Sequence, residues 1–144
     1  IIKVNPKKRM TFDPKESVDM QGQTGPYIQN AYVRIQSVLR KAKKEEMGKA
    51  SDYHHLNKQE KDIVAQIFAF PELIKQAAEE LDPSSIANYS YTLAKTYHRF
   101  YNDHSILRAD SLDAKAFRLM LSQMVAKVLK TAMNLLGIEM PQRM

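Results

Sequence analysis

Asp113-Ala114-Lys115-Ala116-Phe117-Arg118-Leu119-Met120-Leu121-Ser122-Gln123-Met124-Val125-Ala126-Lys127-Val128-Leu129-Lys130-Thr131-Ala132-Met133-Asn134-Leu135-Leu136 decides the fold. Coiled at 3.6 residues per turn, Ala116, Phe117, Leu119, Met120, Leu121, Met124, Val125, Val128, Leu129, Met133 and Leu136 cover most of the circumference. A helix apolar nearly all round belongs in the middle of a bundle, not on its surface. Gly137 follows where a left-handed C-cap would stand. The spacing therefore predicts a central helix over roughly 113–136, which the rest of the chain must surround.

Working outward, the surrounding pieces are also helical. Asp82-Pro83 is a cap-plus-proline start, opening a helix to about Asn102 with Ile86, Tyr89, Leu93, Tyr97 and Phe100 as its inner stripe. Residues 103–112 join it to the central helix as a loop. Asn57 with Glu60 three residues on is a capping box, followed by the apolar set Ile63, Val64, Ile67 and Phe68. Pro71 is expected to part that helix from a short one running to about Leu81. Residues 46–56, with Gly48, Ser51 and His54-His55, read as an exposed loop. Before it, Pro26 suits the first turn of a long helix near 26–45. Its core stripe is Ile28, Ala31, Tyr32, Ile35, Val38, Leu39 and Ala42. Gly22 and Gly25 allow the turn that leads in, and Asp13-Pro14 starts a short helix. Residues 1–12, with Lys3, Lys7, Lys8 and Arg9 around Pro6, read as an extended connector. No strand-length alternation, repeat or low-complexity tract interrupts the pattern, so the fold class is all-α.

Composition narrows the classes. A chain of 144 residues, 44% hydrophobic and 26% charged, is one soluble globular domain's worth. The absence of cysteine excludes disulfides and thiolate chemistry and fits a reducing compartment. No apolar run is long enough to span a bilayer, and no secretory signal opens the chain. Ile1-Ile2-Lys3-Val4-Asn5-Pro6 reads as the interior of a longer chain. The net charge of +6 lies entirely within residues 1–50, since 51–144 balance. A basic bias confined to one part favours a polyanionic partner.

The same part carries a second helical stripe: Tyr27, Asn30, Arg34, Ser37 and Lys41. A ring, an amide and two cations on one face can stack a base, meet its edge and hold phosphates, as single-stranded nucleic acid requires. The plainer reading is a solvated helix face. No catalytic constellation competes with either. His54 and His55 are adjacent and lack partners at metal-ligand spacing, His98 and His104 stand alone, and Gly22 and Gly25 make no phosphate loop. Asp103, Asp110 and Asp113 read as loop and cap residues. Among the crowded rings Tyr89, Tyr91, Tyr97, Phe100 and Tyr101, core packing is the first expectation. Ala94, His98 and Tyr101 share a face that need not be buried, and Tyr101 is the ring chosen as a stacking platform. The chain then closes on Leu135-Leu136-Gly137-Ile138-Glu139-Met140-Pro141-Gln142-Arg143-Met144, an unusually apolar tail.

Gly25-Pro26-Tyr27-Ile28-Gln29, Ala31-Tyr32, Arg34-Ile35, Leu39-Arg40-Lys41-Ala42, Leu93-Ala94-Lys95, Arg99-Phe100-Tyr101, Arg118-Leu119 and the final ten residues together carry a resemblance. The chain resembles the C-terminal, DALR-type anticodon-binding domain of arginyl-tRNA synthetases, which belong to class I. The resemblance covers nearly the whole length. It implies a helical bundle of the class Ia synthetase anticodon-binding type over 13–144, with 1–12 leading from an absent catalytic domain. It implies binding of the arginine tRNA anticodon stem-loop through Tyr27, Asn30, Arg34, Lys41, Tyr101 and Met144. Asn30 departs from the aromatic often found at its position, which removes stacking there and leaves hydrogen bonding. Gln29 is expected to be a structural hydrogen bonder at the helix start, with a contact to the RNA backbone as the alternative.

The resemblance further implies a cytoplasmic enzyme that uses ATP and Mg²⁺ to join arginine to its tRNA. The family's two nucleotide-site signatures have no counterpart here, and Lys7-Lys8-Arg9-Met10 is not the second of them. This chain alone is thus expected to hold no cofactor or metal and to catalyse nothing. Its expected partners are the tRNA and its own catalytic domain, with no membrane. The competing reading is a helical protein–protein interaction module that docks a partner through its Tyr/Met-rich face.

Overall fold

In the computed structural model, which describes residues 3–17, 19 and 22–144, the central helix forms as its sequence demands. The order is α1 (Pro14–Ser17), α2 (Gly25–Ala42), a single 3-10 turn (Ala50–Asp52), α3 (Lys58–Glu79), α4 (Pro83–Asp103) and α5 (Leu112–Leu135). Among the described residues there is no strand, and the all-α reading holds. α4 and α5 pack on each other, and α2 and α3 each pack on both. No described helix is long and apolar enough to cross a membrane.

The starts are set locally. The Thr24 hydroxyl accepts from the Tyr27 amide, the Asp82 carboxylate accepts from the Ser84 amide, and Asn57 and Glu60 make the reciprocal capping box. α5 ends as its glycine foretold. Gly137 has φ 72°, the Ile138 amide reaches back to the Met133 carbonyl and the Gly137 amide to that of Asn134, the two bonds of a Schellman cap. The buried faces match the stripes read from spacing, with Ile28, Ala31, Tyr32, Ile35 and Val38 from α2 and Ile86, Leu93, Tyr97 and Phe100 from α4. α5 is less enclosed than its composition suggests: Met120, Met124 and Leu135 face solvent.

Pro71 does not divide α3, and the expected break is a misreading that tertiary packing explains. The missing amide costs one helical hydrogen bond. Against it, Phe70 is buried and stacks on Tyr89 at 5.3 Å, while the Tyr89 hydroxyl donates to the Gln66 carbonyl at 2.7 Å. Those contacts clamp the turns on the near side of the proline to α4. The helix ends later, with Leu81 at φ 52° and the Asp82 amide bonded back to the Ala77 carbonyl.

α2 stops at Ala42, short of residue 45, and the 46–56 segment is docked rather than free. The Lys115 ammonium bonds the Glu45 carboxylate at 3.3 Å and the Glu46 carbonyl at 3.4 Å. The Gly48 amide donates to the Leu112 carbonyl, and a Cβ on Gly48 would lie 2.2 Å from an Asp113 carboxylate oxygen. Only glycine allows so close an approach. Beyond it the Tyr53 ring meets Phe117 at 5.2 Å.

Candidate nucleic-acid interface

Between α2 and the loop after α4 lies a cleft of about 660 Å³. α2 contributes Asn30, Arg34, Ser37 and Lys41, one face of a single helix at three- and four-residue spacing. Tyr101 and Asn102 come from the last turn of α4, and His104 to Arg108 form the opposite wall. Met144 completes the rim. The lining holds three side-chain cations, Arg34, Lys41 and Arg108, and no Asp or Glu side chain. Within low-dielectric walls such one-signed charge focuses a field that attracts anions.

The tail reaches this rim because α2 holds it. The Gln29 side chain donates to the Glu139 carbonyl at 2.9 Å, Arg40 donates to the Gln142 carbonyl at 3.2 Å, and Gln142 donates to the Tyr32 hydroxyl at 3.3 Å. Met140 is buried beneath. Gln29 is thus the structural hydrogen bonder expected of it. Met144, 62% exposed, stands at the rim of the cleft.

Five of the six residues singled out from the sequence, Asn30, Arg34, Lys41, Tyr101 and Met144, line one cleft. Tyr27 stands apart from it. Its ring sits 5.1 Å from Tyr91 and 5.0 Å edge-on to His98, half-buried, and burial pushes its hydroxyl above the ordinary tyrosine range. The face expected to join Ala94, His98 and Tyr101 is graded, not open: Ala94 is fully buried, whereas His98 and Tyr101 are half-buried. The Arg34 guanidinium carbon lies 4.9 Å from the centre of the Tyr101 ring, within cation–π range. Its Nη1 lies 3.2 Å from Nδ1 of His98. Burial, then the Arg34 charge, hold His98 below the usual histidine range against a raising backbone bond with Tyr27.

Sequence reasoning missed the second wall. A ten-residue loop has no periodicity, and nothing in its sequence singles out Arg108. The only hint was the distance it must span between two helices that pack together. The loop is seated by buried Ile106 and by Arg118, whose Nη1 donates to the Ser105 carbonyl at 2.9 Å. His54 and His55 are exposed, and among the described residues no group of three His, Cys, Asp or Glu side chains could hold a metal.

The family model described as the DALR anticodon binding domain matches residues 28–144. The chain belongs to that family. Arginine–tRNA ligases resemble this DALR domain along its whole length: that of Parabacteroides distasonis is 46% identical over 147 residues, and that of Flavobacterium psychrophilum 49% over 144. The domain spans only 25% and 24% of those two proteins. Among solved structures, Thermus thermophilus arginyl-tRNA synthetase superposes with a TM-score of 0.88 at 32% identity, over 99% of this chain and 25% of that one. The Plasmodium falciparum arginyl-tRNA synthetase shares the fold, with a TM-score of 0.83 at 24% identity over 99% of this chain and 25% of its own. The DALR domain's matched span contains both walls of the cleft and Met144.

Proposed function

We propose that this DALR domain binds the anticodon stem-loop of an arginine tRNA and positions it for ATP-dependent aminoacylation by a catalytic domain outside this chain. The observation that carries the reading is the cleft itself. Arg34, Lys41 and Arg108 meet Tyr101 and Met144 there without an Asp or Glu side chain in the lining. An anticodon loop offers splayed bases, which stack on a ring or a thioether and are read at their edges, while cations hold the phosphates. Asn30 supplies both a donor and an acceptor for a base or sugar edge. Tyr27 acts one step removed, as the ring against which His98 rests.

In this reading residues 13–144 are the RNA-binding domain, and residues 1–12 connect it to the catalytic domain, its protein partner in a cytoplasmic ligase. ATP and Mg²⁺ belong to that catalytic domain. The residues here do not suit them, since the cleft offers no Asp or Glu side chain to a divalent cation and, among the described residues, no glycine-rich phosphate loop opens a helix.

The test is a salt-titrated binding assay that compares an arginine tRNA with an unrelated tRNA. Counterion release requires RNA affinity to fall steeply with salt, by a slope of about −0.7 per neutralised phosphate on single strands. Tighter binding of the arginine tRNA with that slope supports the proposal. Salt-independent binding to a helical protein, without RNA affinity, replaces it with the interaction-module reading.

A further inference from the structure

His98 lies just outside the cleft's lining and touches one of the cations within it, Arg34. We propose that His98 is a positioning residue, whose neutral ring tethers the Arg34 guanidinium over Tyr101 and so sets where that cation stands in the cleft. The tether is a property of the free protein. Its functional weight rests on the RNA-binding role proposed above.

The chemistry of the pair leaves one arrangement. Arginine carries only donors, so the 3.2 Å contact from Nη1 requires His98 Nδ1 to be an unprotonated acceptor. The ring's proton is then on Nε2, and protonating Nδ1 would both remove the acceptor and place two cations in contact. From α2 the groups that face His98 are Arg34 and Tyr27, the latter edge-on at 5.0 Å. On its own helix, Tyr91 lies against Tyr27 and Tyr101 lies across Arg34. Among the described residues no carboxylate pairs with His98 to favour its charged form. The low proton affinity of the ring agrees with this setting.

A free arginine side chain samples many rotamers, and ordering it on binding costs affinity. Arg34 is held at two points before any ligand arrives, by His98 Nδ1 and by the Tyr101 ring. Removing the first hold leaves the cation present but unplaced. His98 thereby acts through Arg34 and need not touch RNA.

Two measurements test this on the intact chain. A nitrogen-resolved NMR titration of the RNA-free protein should show His98 as the Nε2–H tautomer at neutral pH. It should show a midpoint below the ordinary histidine value that rises in Arg34→Met. An Nδ1–H tautomer, or a midpoint indifferent to Arg34→Met, overturns the tether whether or not RNA binds. With an arginine tRNA anticodon stem-loop as probe, His98→Ala should weaken binding by about 3- to 10-fold, the scale of one hydrogen bond. His98→Asn, whose side-chain oxygen can stand near the place of Nδ1, should restore most of it. In an Arg34→Met background His98→Ala should change nothing further. An equal loss with and without Arg34 overturns the positioning role.

Discussion

Arg34 on α2 and Tyr101 on α4 meet as cation and ring at 4.9 Å, across the junction of two helices that form one wall of the cleft. Sixty-seven positions of sequence separate them, so their meeting is a product of the fold. Each is partly spoken for by the protein, yet each keeps a surface toward the cleft.

Tyr101→Ala should weaken anticodon stem-loop binding by about 1–3 kcal/mol, the value of one base stacked on an aromatic side chain. The far-ultraviolet circular dichroism should stay helical, because Tyr97 and Phe100, both fully buried, carry the core contacts of that turn. An unchanged dissociation constant would assign Tyr101 to packing alone.

Removing Met144 should separate binding from stability in the opposite sense to a core mutation. The side chain is 62% exposed, and the tail is held by Met140 and by the bonds from Gln29 and Arg40. A thioether–ring contact is worth about 0.3–1.5 kcal/mol, so affinity should fall by roughly twofold to tenfold while the Tm hardly moves. A drop of several degrees in Tm would show that Met144 packs.

What was legible in the sequence follows from how each signal is encoded. Asn57 with Glu60, Asp82 with Pro83, and Gly137 are local devices, satisfied within a few residues, and the structure uses each as read. The α2 cleft face was legible for the same reason, because 3.6-residue spacing places Asn30, Arg34 and Lys41 together. Signals that depend on distant partners were not. Pro71 reads as a breaker until Phe70 and Tyr89 are known to stack. Gly48 reads as loop flexibility until Asp113 is seen beside it. His98 and Arg108 are isolated in sequence and acquire roles only through Arg34 and the opposing wall.

Leu81 offers a stabilising change. It closes α3 at φ 52°, a conformation that costs an L-residue with a side chain about 1–2 kcal/mol, and it is 83% exposed, so little burial repays it. Leu81→Gly should raise the unfolding free energy by about 0.5–1 kcal/mol, after glycine's greater freedom in the unfolded chain is deducted. Urea melts of the two proteins at the same pH would measure it, and a lower midpoint for the glycine variant would show that Leu81 makes a contact worth more than its strain.

His98 predicts an acid-side loss of stability. Its folded midpoint lies below the unfolded value of about 6.5, so the unfolded chain binds the proton more readily. Stability should be full above that value, fall as pH drops through it, and level off below the folded midpoint. His98→Asn cannot titrate and should flatten this part of the profile. A slope of equal size in His98→Asn would trace the loss to other groups.

Glu60 and Arg118 form the buried pair on which the second wall depends. Their contact is 2.8 Å, and Glu60 is fully enclosed. The Glu60 carboxylate also accepts from the Asn57 amide and the Tyr53 hydroxyl, while Arg118 reaches on to the Ser105 carbonyl. One network therefore joins the docked 46–56 segment, the start of α3, α5 and the cleft loop. Glu60→Gln keeps the shape and the capping acceptor but strips the charge facing a buried guanidinium, which typically costs about 3–5 kcal/mol. Adding Arg118→Met should recover much of that loss, because the unpaired charge is gone. The recovered double variant should nevertheless show faster amide exchange at Arg108, whose N–H bonds the Ser105 hydroxyl, since only Ile106 then seats the loop. Unchanged exchange at Arg108 would mean that buried Ile106 suffices to hold the wall.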